Sequence, residues 1–275
     1  MKAIGIKAIS FVGTTLLSMI LGSHPKCRSV GHCYVFFEPW KEKAKLNPDN
    51  VCAICSLLEK DCSLNRLTEF DMDPEHAYEI IASLIELDPD EHTIIDSSST
   101  TSWFDISQPD QIIYMFRNPL TLASSYIKSL SGERSRGWII NYMCRYYNKL
   151  YAGKDGLAIS YDNLLNDNVY IRGLFSKLGL EFFADYLEYW NFSNHMVGGN
   201  RGVLLEYARH HKPEKVDELI KGICKGNKEY EKYYKNPDWT HKGGVNLLTP
   251  EEEDYIMGRC GATYGQLKGL EECLL

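Results

Sequence analysis

Three small polar residues near the start of the chain have the chemistry of an anion site. Gly13, Thr14 and Thr15 follow an isoleucine-rich segment, Ala3 to Ile9, and precede an apolar run, Leu16 to Leu21. Glycine allows a tight backbone turn. A helix that begins at the threonines would present free backbone N–H groups, hydroxyl donors and the positive end of its dipole. This arrangement suits a phosphate or a sulfate group.

A second set of anion-binding side chains follows the predicted buried strand QIIYMF, residues 111–116. Arg117 would stand at the end of this strand, and Ser125 would lie about two helical turns further on, facing the sheet. A guanidinium fork together with a hydroxyl suits a phosphomonoester. For Arg117-Asn118-Pro119 alone, the alternative is a surface arginine before a helix that begins at proline.

These side chains need a scaffold that brings strand ends together, and the apolar pattern predicts one. Short apolar segments at 3–9, 92–96, 111–116 and 156–160 alternate with helical segments at 16–21, 74–87, 119–130, 138–150 and 168–178. This alternation predicts an α/β fold with a central parallel sheet flanked by helices. Ligands of such sheets bind at the carboxyl ends of the strands. Polar residues follow those ends at Ser10 to Thr15, Asp96 to Ser99, Arg117 and Tyr161.

The first of these segments, KAISFVGTTLLSMILGSHP at residues 7–25, also has features of a secretion signal. Lys2 and Lys7 supply positive charge before an apolar run. Serine, glycine and threonine interrupt that run, however, and no A-x-A cleavage site follows it. The two interpretations exclude each other, because a signal would be removed whereas the loop would hold the site. The phosphate-loop interpretation accounts for more of the pattern.

Composition limits the function further. The chain has 275 residues, of which 44% are hydrophobic and 24% charged, with a formal net charge of −7. This charge argues against a broad surface for nucleic acid or an anionic membrane, and no later segment is apolar enough for a membrane span. We expect a single domain over residues 1–275, with a lid inserted at 27–72 and a helical C-terminal part at 203–275. The oligomeric state is not indicated.

Nine cysteines are scattered over the chain, and this odd number favours reduced thiols in a cytoplasmic protein. Three of them, Cys52, Cys55 and Cys62, lie close together with metal-like spacing. A zinc ion held by these three, with Cys27 or Cys33 as the fourth ligand, would stabilise the lid. A disulfide or three free buried thiols are the alternatives.

Five segments, in order, resemble the sulfotransferases that use 3′-phosphoadenosine 5′-phosphosulfate (PAPS): VGTTLLSMILGSHP, IIDSSS, IIYMFRNPLTLASSYIKS, ISYDNLL and HMVGGNRG. RSVGH and CAICSLLEKDC further resemble the bacterial branch of this family, in which an SVGE-like turn precedes clustered cysteines. The resemblance extends from residue 1 to about residue 202. It implies a P-loop NTPase-like three-layer sandwich with an irregular cysteine-containing lid. It also implies sulfuryl transfer from PAPS to a hydroxyl or amine of a small molecule, lipid or sugar.

The resemblance assigns roles to individual residues. The 5′-phosphosulfate would bind Gly13, Thr14 and Thr15, and the 3′-phosphate would bind Arg117 and Ser125. Tyr161 would pack near the adenine. Arg201 would close over the 3′-phosphate side, with a surface loop arginine as the alternative.

The acceptor must lose a proton as it attacks sulfur, and a base with a pKa near neutrality suits that step. His32 occupies the place of the family's glutamate, so it is the predicted general base; an ordinary surface histidine in a lid is the alternative. His195 is expected to be a structural hydrogen-bonding histidine. If His32 is not the base, Asp96 is the next residue to test.

The sequence departs from the family at two cationic positions, which are Phe11 and Ser99 here. Loss of one transition-state donor in comparable sites costs about 10²–10³ in rate. Weak activity, another cation such as Lys7 or Lys242, and loss of catalysis therefore stay open. The alternatives to an enzyme of full activity are a catalytically weak protein that binds PAPS or its product, and a P-loop kinase of a small metabolite. The kinase is disfavoured because Thr14 stands where that loop requires lysine.

Overall fold

The sheet of this protein, seen in a computed structural model, has five parallel strands. The structure describes residues 1–37, 51–69, 73–98, 101–130, 132–154, 156–164, 168–224, 231, 234–235 and 247–272. The strands are β1 (Lys2–Lys7), β2 (Cys27–Gly31), β3 (Thr93–Asp96), β4 (Gln111–Phe116) and β5 (Leu157–Ser160). Their order is β2-β3-β1-β4-β5, and every neighbouring pair is parallel. The predicted α/β fold with a parallel sheet is confirmed.

Helices connect the strands in the alternation that the sequence predicts. Their bounds in chain order are α1 (Thr14–Gly22), α2 (Ala53–Leu57), α3 (Ala77–Leu84), α4 (Thr101–Ser107), α5 (Pro119–Leu130), α6 (Arg136–Tyr151), α7 (Tyr161–Leu164), α8 (Asn168–Lys177), α9 (Arg201–His211), α10 (Val216–Cys224) and α11 (Pro250–Glu272). None of the described helices is both long and apolar enough to cross a membrane.

The segment with signal-like features follows the central strand directly and supplies the buried helix α1. β1 lies between β3 and β4, and all nine residues of α1 are buried. An apolar segment in this position contributes to the core from both sides, because a parallel sheet is covered on both faces. The phosphate-loop interpretation of residues 7–25 therefore agrees with the architecture.

One part of the predicted lid is wrong. Residues 27–31 belong to the sheet as edge strand β2, not to an irregular insertion. Arg28 and Ser29 interrupt the apolar pattern here, so the strand has no clear sequence signal. It is buried because α1 packs on it and the segment 195–197 covers its outer edge, where the His195 backbone N–H donates to Ser29 O at 2.9 Å. A later part of the predicted lid is also regular, since Ala53–Leu57 forms α2.

Candidate functional site

The loop after β1 turns sharply at Gly13. This residue has φ 95° and ψ 20° and directly precedes α1. Its backbone is left-handed, and a Cβ at this position would overlap the ring of Tyr161, so only glycine fits without strain. Among the described residues no side chain caps the start of α1, and the first N–H groups of a helix have no partner within the helix.

The two threonines lie on the first turn of α1 and are almost fully buried. Thr15 Oγ1 accepts a hydrogen bond from the Asn200 N–H at 3.0 Å. An added Cβ at Gly199 would lie 2.9 Å from Thr15 Oγ1, so the glycine lets residues 199 and 200 approach the phosphate loop. The segment GGN is thus a wall beside the loop.

Arg117 stands at the end of β4 and is only 7% exposed. Its Nη1 donates to Ser125 Oγ at 3.1 Å and to Phe11 O at 3.4 Å, and its Nε donates to Thr121 Oγ1 at 3.1 Å. The predicted pair of Arg117 and Ser125 is therefore brought together, and it contacts the backbone of the phosphate loop.

Tyr161 joins these two halves of the site. Its ring packs against Gly13, and the Arg117 guanidinium lies 4.8 Å from the ring centroid. Asp162, the next residue, accepts a hydrogen bond from the Asn118 N–H at 3.1 Å and lies 4.0 Å from Arg117 Nε. Asp162 is a residue of the candidate site that the sequence analysis missed, although it lies two residues after a predicted strand end.

Phe11, which replaces a cation of the resembling family, has an unusual conformation. Its φ is 67°, which a bulky residue adopts only under strain, and its side chain is 39% exposed. The ring packs edge-on against Tyr126 with the centroids 4.9 Å apart. Tyr126 is hydrogen-bonded to Ser10, and burial raises the pKa of its hydroxyl to about 12. Tyr126 therefore fixes the phosphate loop, another role the sequence analysis missed.

An aromatic row extends from Tyr126 along α6. The ring centroids of Tyr126 and Tyr142 are 6.2 Å apart, and Tyr142 stacks on Trp138 at 4.9 Å and lies 4.5 Å from Tyr146. Trp138 and Tyr146 are more than 40% exposed. Their spacing along one face of a helix could have been recognised in RGWIINYMCRYY.

His32 lies at the end of edge strand β2 and is half-buried. Its backbone N–H donates to Val197 O at 2.7 Å, and an added Cβ at Gly198 would lie 2.9 Å from the imidazole Nδ1. The segment 197–200 therefore contacts both residues: residues 197–198 lie against His32, and residues 199–200 lie against Thr15. Burial lowers the pKa of His32 to about 4, so the imidazole is neutral at physiological pH.

Asp96, the alternative base, is fully buried and already saturated with hydrogen bonds. It accepts from the Ser98 N–H at 2.7 Å, from Trp103 Nε1 at 2.6 Å and from the Tyr78 hydroxyl at 3.1 Å. The Cys33 N–H donates to it at 3.4 Å. These contacts give Asp96 the role of an anchor for the turn after His32.

Arg201 and Lys7, the other candidate cations that the structure describes, each have a different partner. Arg201 is the first residue of α9, and its Nη1 donates to Gly222 O at 3.5 Å. It follows Asn200 directly, but it contacts neither Arg117 nor Ser125 in the described part of the chain. Lys7 is buried with its Nζ 3.9 Å from Asp105, and burial lowers its pKa. Ser99 and Lys242 lie outside the described residues.

The three lid cysteines converge on a histidine. The ligand atoms of Cys52, Cys55, Cys62 and His195 all lie within 4.8 Å of one another. Hydrogen bonds from the Cys55 and Cys62 thiols lower the pKa of Cys52 well below its usual value. Burial alone would lower the pKa of His195, but its contacts with Cys52 and Cys62 raise it to about 9. The structure places His195, and neither Cys27 nor Cys33, in this group.

The fold is that of the sulfotransferases. No family model matches the sequence, and no curated protein matches it. Two solved structures share the fold at 15% sequence identity. The sulfotransferase domain from the curacin biosynthetic pathway has a TM-score of 0.57, over 94% of this chain and 97% of that one. The sulfotransferase domain from the Synechococcus PCC 7002 olefin synthase has a TM-score of 0.53, over 94% and 93%.

Proposed function

We propose that this protein transfers a sulfuryl group from PAPS to a hydroxyl or amine of a small molecule, lipid or sugar. One observation carries the proposal: two anion-binding arrangements meet at one edge of the sheet. The N-terminus of α1, which no described side chain caps, forms one, and Arg117 with Ser125 forms the other. They are joined where Arg117 Nη1 donates to Phe11 O and where Tyr161 packs against both.

This geometry suits a ligand with two separate phosphate groups. The N-terminus of α1 would take the 5′-phosphosulfate, because backbone N–H groups and the helix dipole stabilise negative charge there. Thr15 Oγ1 already accepts a hydrogen bond from Asn200, so its own proton is directed to another acceptor. Arg117 and Ser125 would take the 3′-phosphate. Tyr161 would support the nucleotide between them, with Arg201 near the closing wall.

In the reaction, the acceptor oxygen or nitrogen forms a bond to sulfur while the bond from sulfur to the bridging phosphate oxygen breaks. The leaving adenosine 3′,5′-bisphosphate keeps the electron pair of that bond, and the α1 N-terminus stabilises its charge. His32 would take the acceptor's proton, since its imidazole is neutral at physiological pH and lies beside the wall that contacts Thr15. Its pKa of about 4 is below the near-neutral value expected from the sequence, which makes it a weaker base than expected.

A catalytically weak nucleotide-binding protein is the second candidate, and Phe11 favours it. The resembling family places a cation here, whereas Phe11 packs on Tyr126. Lys7, another cation near the loop, has its Nζ 3.9 Å from Asp105, which offsets part of its charge. Under this second candidate function, the protein would still bind the anion, but it would stabilise the charge of the leaving group less.

A thermal-shift comparison tests the nucleotide class. Adenosine 3′,5′-bisphosphate should raise the melting temperature, whereas adenosine 5′-phosphate, which lacks the 3′-phosphate, should raise it less. ATP with Mg²⁺ should have little effect. A larger shift with ATP–Mg²⁺ than with the bisphosphate would contradict the proposal and favour a kinase.

Transfer itself requires a separate assay. Protein incubated with ³⁵S-labelled PAPS and a panel of hydroxyl and amine acceptors should yield a labelled acceptor. Binding of the bisphosphate without transfer to any acceptor of the panel would favour the weak binding protein.

A further inference from the structure

The four side chains of Cys52, Cys55, Cys62 and His195 form a cluster that the proposed reaction does not use. All three thiols are buried and free of disulfides. From these residues we propose a zinc site: Cys52, Cys55, Cys62 and His195 bind one structural Zn²⁺ that ties the lid to the wall of the phosphate loop. Three cysteines and one histidine are a common ligand set for structural zinc.

The two sulfur–nitrogen distances to Cys55 and Cys62 fit a tetrahedral ion. With Zn–S near 2.3 Å and Zn–N near 2.05 Å, tetrahedral geometry places a sulfur and a nitrogen ligand about 3.6 Å apart. His195 Nδ1 lies 3.6 Å from Cys55 Sγ and 3.5 Å from Cys62 Sγ. A disulfide requires sulfur atoms about 2.05 Å apart, and it would leave the third thiol and the histidine without a common partner.

The backbone around the cluster supports the ligands. The Met196 N–H donates to Cys52 Sγ at 3.3 Å, which stabilises a sulfur that carries negative charge. The Ala53 N–H donates to Met196 O at 2.9 Å. The N–H and the C=O of Met196 therefore both bind the start of α2. Such contacts orient metal ligands, and losing one typically costs about 10–100-fold in metal affinity.

A metal ion can reach the cluster from solvent. A cleft of about 530 Å³ opens beside Cys62 and His195, and Asp61, Arg66 and Glu86 also line it. Binding would displace the thiol protons into this cleft, since the thiolate is the form that binds zinc. With four protein ligands no position is left for water or substrate, so the site is structural.

The ion would connect two distant parts of the chain, because His195 is 140 residues from Cys55 and 133 from Cys62. Residues 195–197 cover β2, Val197 O holds the His32 N–H, and Asn200 contacts Thr15. Zinc bound to His195 would therefore hold in place residues 197–200, which form the wall of the proposed anion site. This inference does not depend on which ligand that site binds.

Metal analysis of the full-length protein, purified without added metal, tests the proposal. We expect elemental analysis by inductively coupled plasma mass spectrometry to find one zinc ion per chain. Cys55→Ser and His195→Ala should lose the ion, whereas Cys27→Ala, the matched control at another buried cysteine, should keep it. After exchange with Co²⁺, the visible spectrum should show tetrahedral d–d bands and sulfur-to-cobalt charge transfer. His195→Cys should keep the metal and strengthen the charge-transfer band, which separates loss of a ligand from loss of folding.

Hydrogen exchange supplies the structural measurement. Removal of the ion by a chelator should speed exchange at residues 52–57 and 195–200 and leave β4 unchanged. Stoichiometric iron, a disulfide among the three cysteines, or metal-free reduced protein that takes up no added Zn²⁺ would overturn the proposal. None of these readouts uses PAPS or its product, so they are separate from tests of the proposed function.

Discussion

Arg117 Nη1 and Ser125 Oγ lie 3.1 Å apart, one at the end of β4 and the other two turns into α5. The serine hydroxyl donates to Thr121 O at 3.2 Å, one turn back, so its lone pairs face the arginine. Both side chains are held before any ligand arrives. A preorganised guanidinium and hydroxyl lose little conformational entropy on binding a phosphate.

Replacing Arg117 should weaken binding of adenosine 3′,5′-bisphosphate. We expect Arg117→Ala to cost about 1.5–3 kcal/mol, or about 10–150-fold in Kd, because a hydrogen bond to a charged group is lost. Ser125→Ala should cost less, because its hydroxyl is neutral. Calorimetry measures both. Arg172→Ala, which removes one exposed arginine from α8, is the control for net charge. Unchanged affinity in Arg117→Ala would remove this residue from the site.

Gly13 should be intolerant of a side chain for two separable reasons. A left-handed φ costs an alanine about 1–2 kcal/mol of stability, and the Cβ would also overlap the Tyr161 ring. Gly179 has φ 71° and no atom within 4 Å of an added Cβ, so Gly179→Ala isolates the backbone cost. Denaturant unfolding should show that Gly13→Ala loses about 1–3 kcal/mol more than Gly179→Ala.

Bisphosphate affinity should separate these two glycine variants as well. It should fall at least about tenfold in Gly13→Ala, equivalent to about 1.4 kcal/mol, and stay unchanged in Gly179→Ala. Equal losses of stability together with equal affinities would show that the Tyr161 contact does not constrain the loop.

The parts of the site that could be predicted are local in sequence. Gly13 to Thr15 and Arg117 with Ser125 each lie within one strand–loop–helix unit, so turn chemistry and helical spacing place them. The contact of Asp162 with Arg117 and Asn118, and that of His195 with the cysteines, join residues far apart in the chain. These contacts depend on the strand order, which periodicity does not determine. β2 was missed because α1 and the distant residues 195–197 cover it although its own sequence has no clear apolar pattern.

Asp96 should be required for stability rather than for turnover. The carboxylate accepts hydrogen bonds from Ser98, Trp103 and Tyr78. An asparagine would replace one accepting oxygen by an NH₂ group, which cannot accept a hydrogen bond from these donors. We expect Asp96→Asn to lower the free energy of unfolding by about 1–3 kcal/mol, the cost of unsatisfied buried polar groups. Asp90→Asn, at an exposed turn, is the control. If stability is retained while turnover per folded molecule disappears, Asp96 is the base and His32 is not.

His32 should act as the base that accepts the acceptor's proton. His32→Ala should lower turnover about 10²–10⁴-fold, the usual range for a general base. His32→Glu should restore part of the activity, and bisphosphate affinity should hardly change in either variant, because the base faces the acceptor. His76→Ala, at an exposed position before α3, should leave turnover unchanged.

The pH dependence of turnover gives the sharper test of His32. Only the neutral imidazole accepts a proton, and burial lowers its pKa to about 4. The rate should therefore rise as pH increases through about 4 and stay level above it, rather than rise near the ordinary value of about 6.5. His32→Glu places a carboxylate in the same buried position, which raises its pKa, so the acid limb should move toward higher pH. Full turnover in His32→Ala, with the acid limb of the unchanged protein still present, would place the base on another residue.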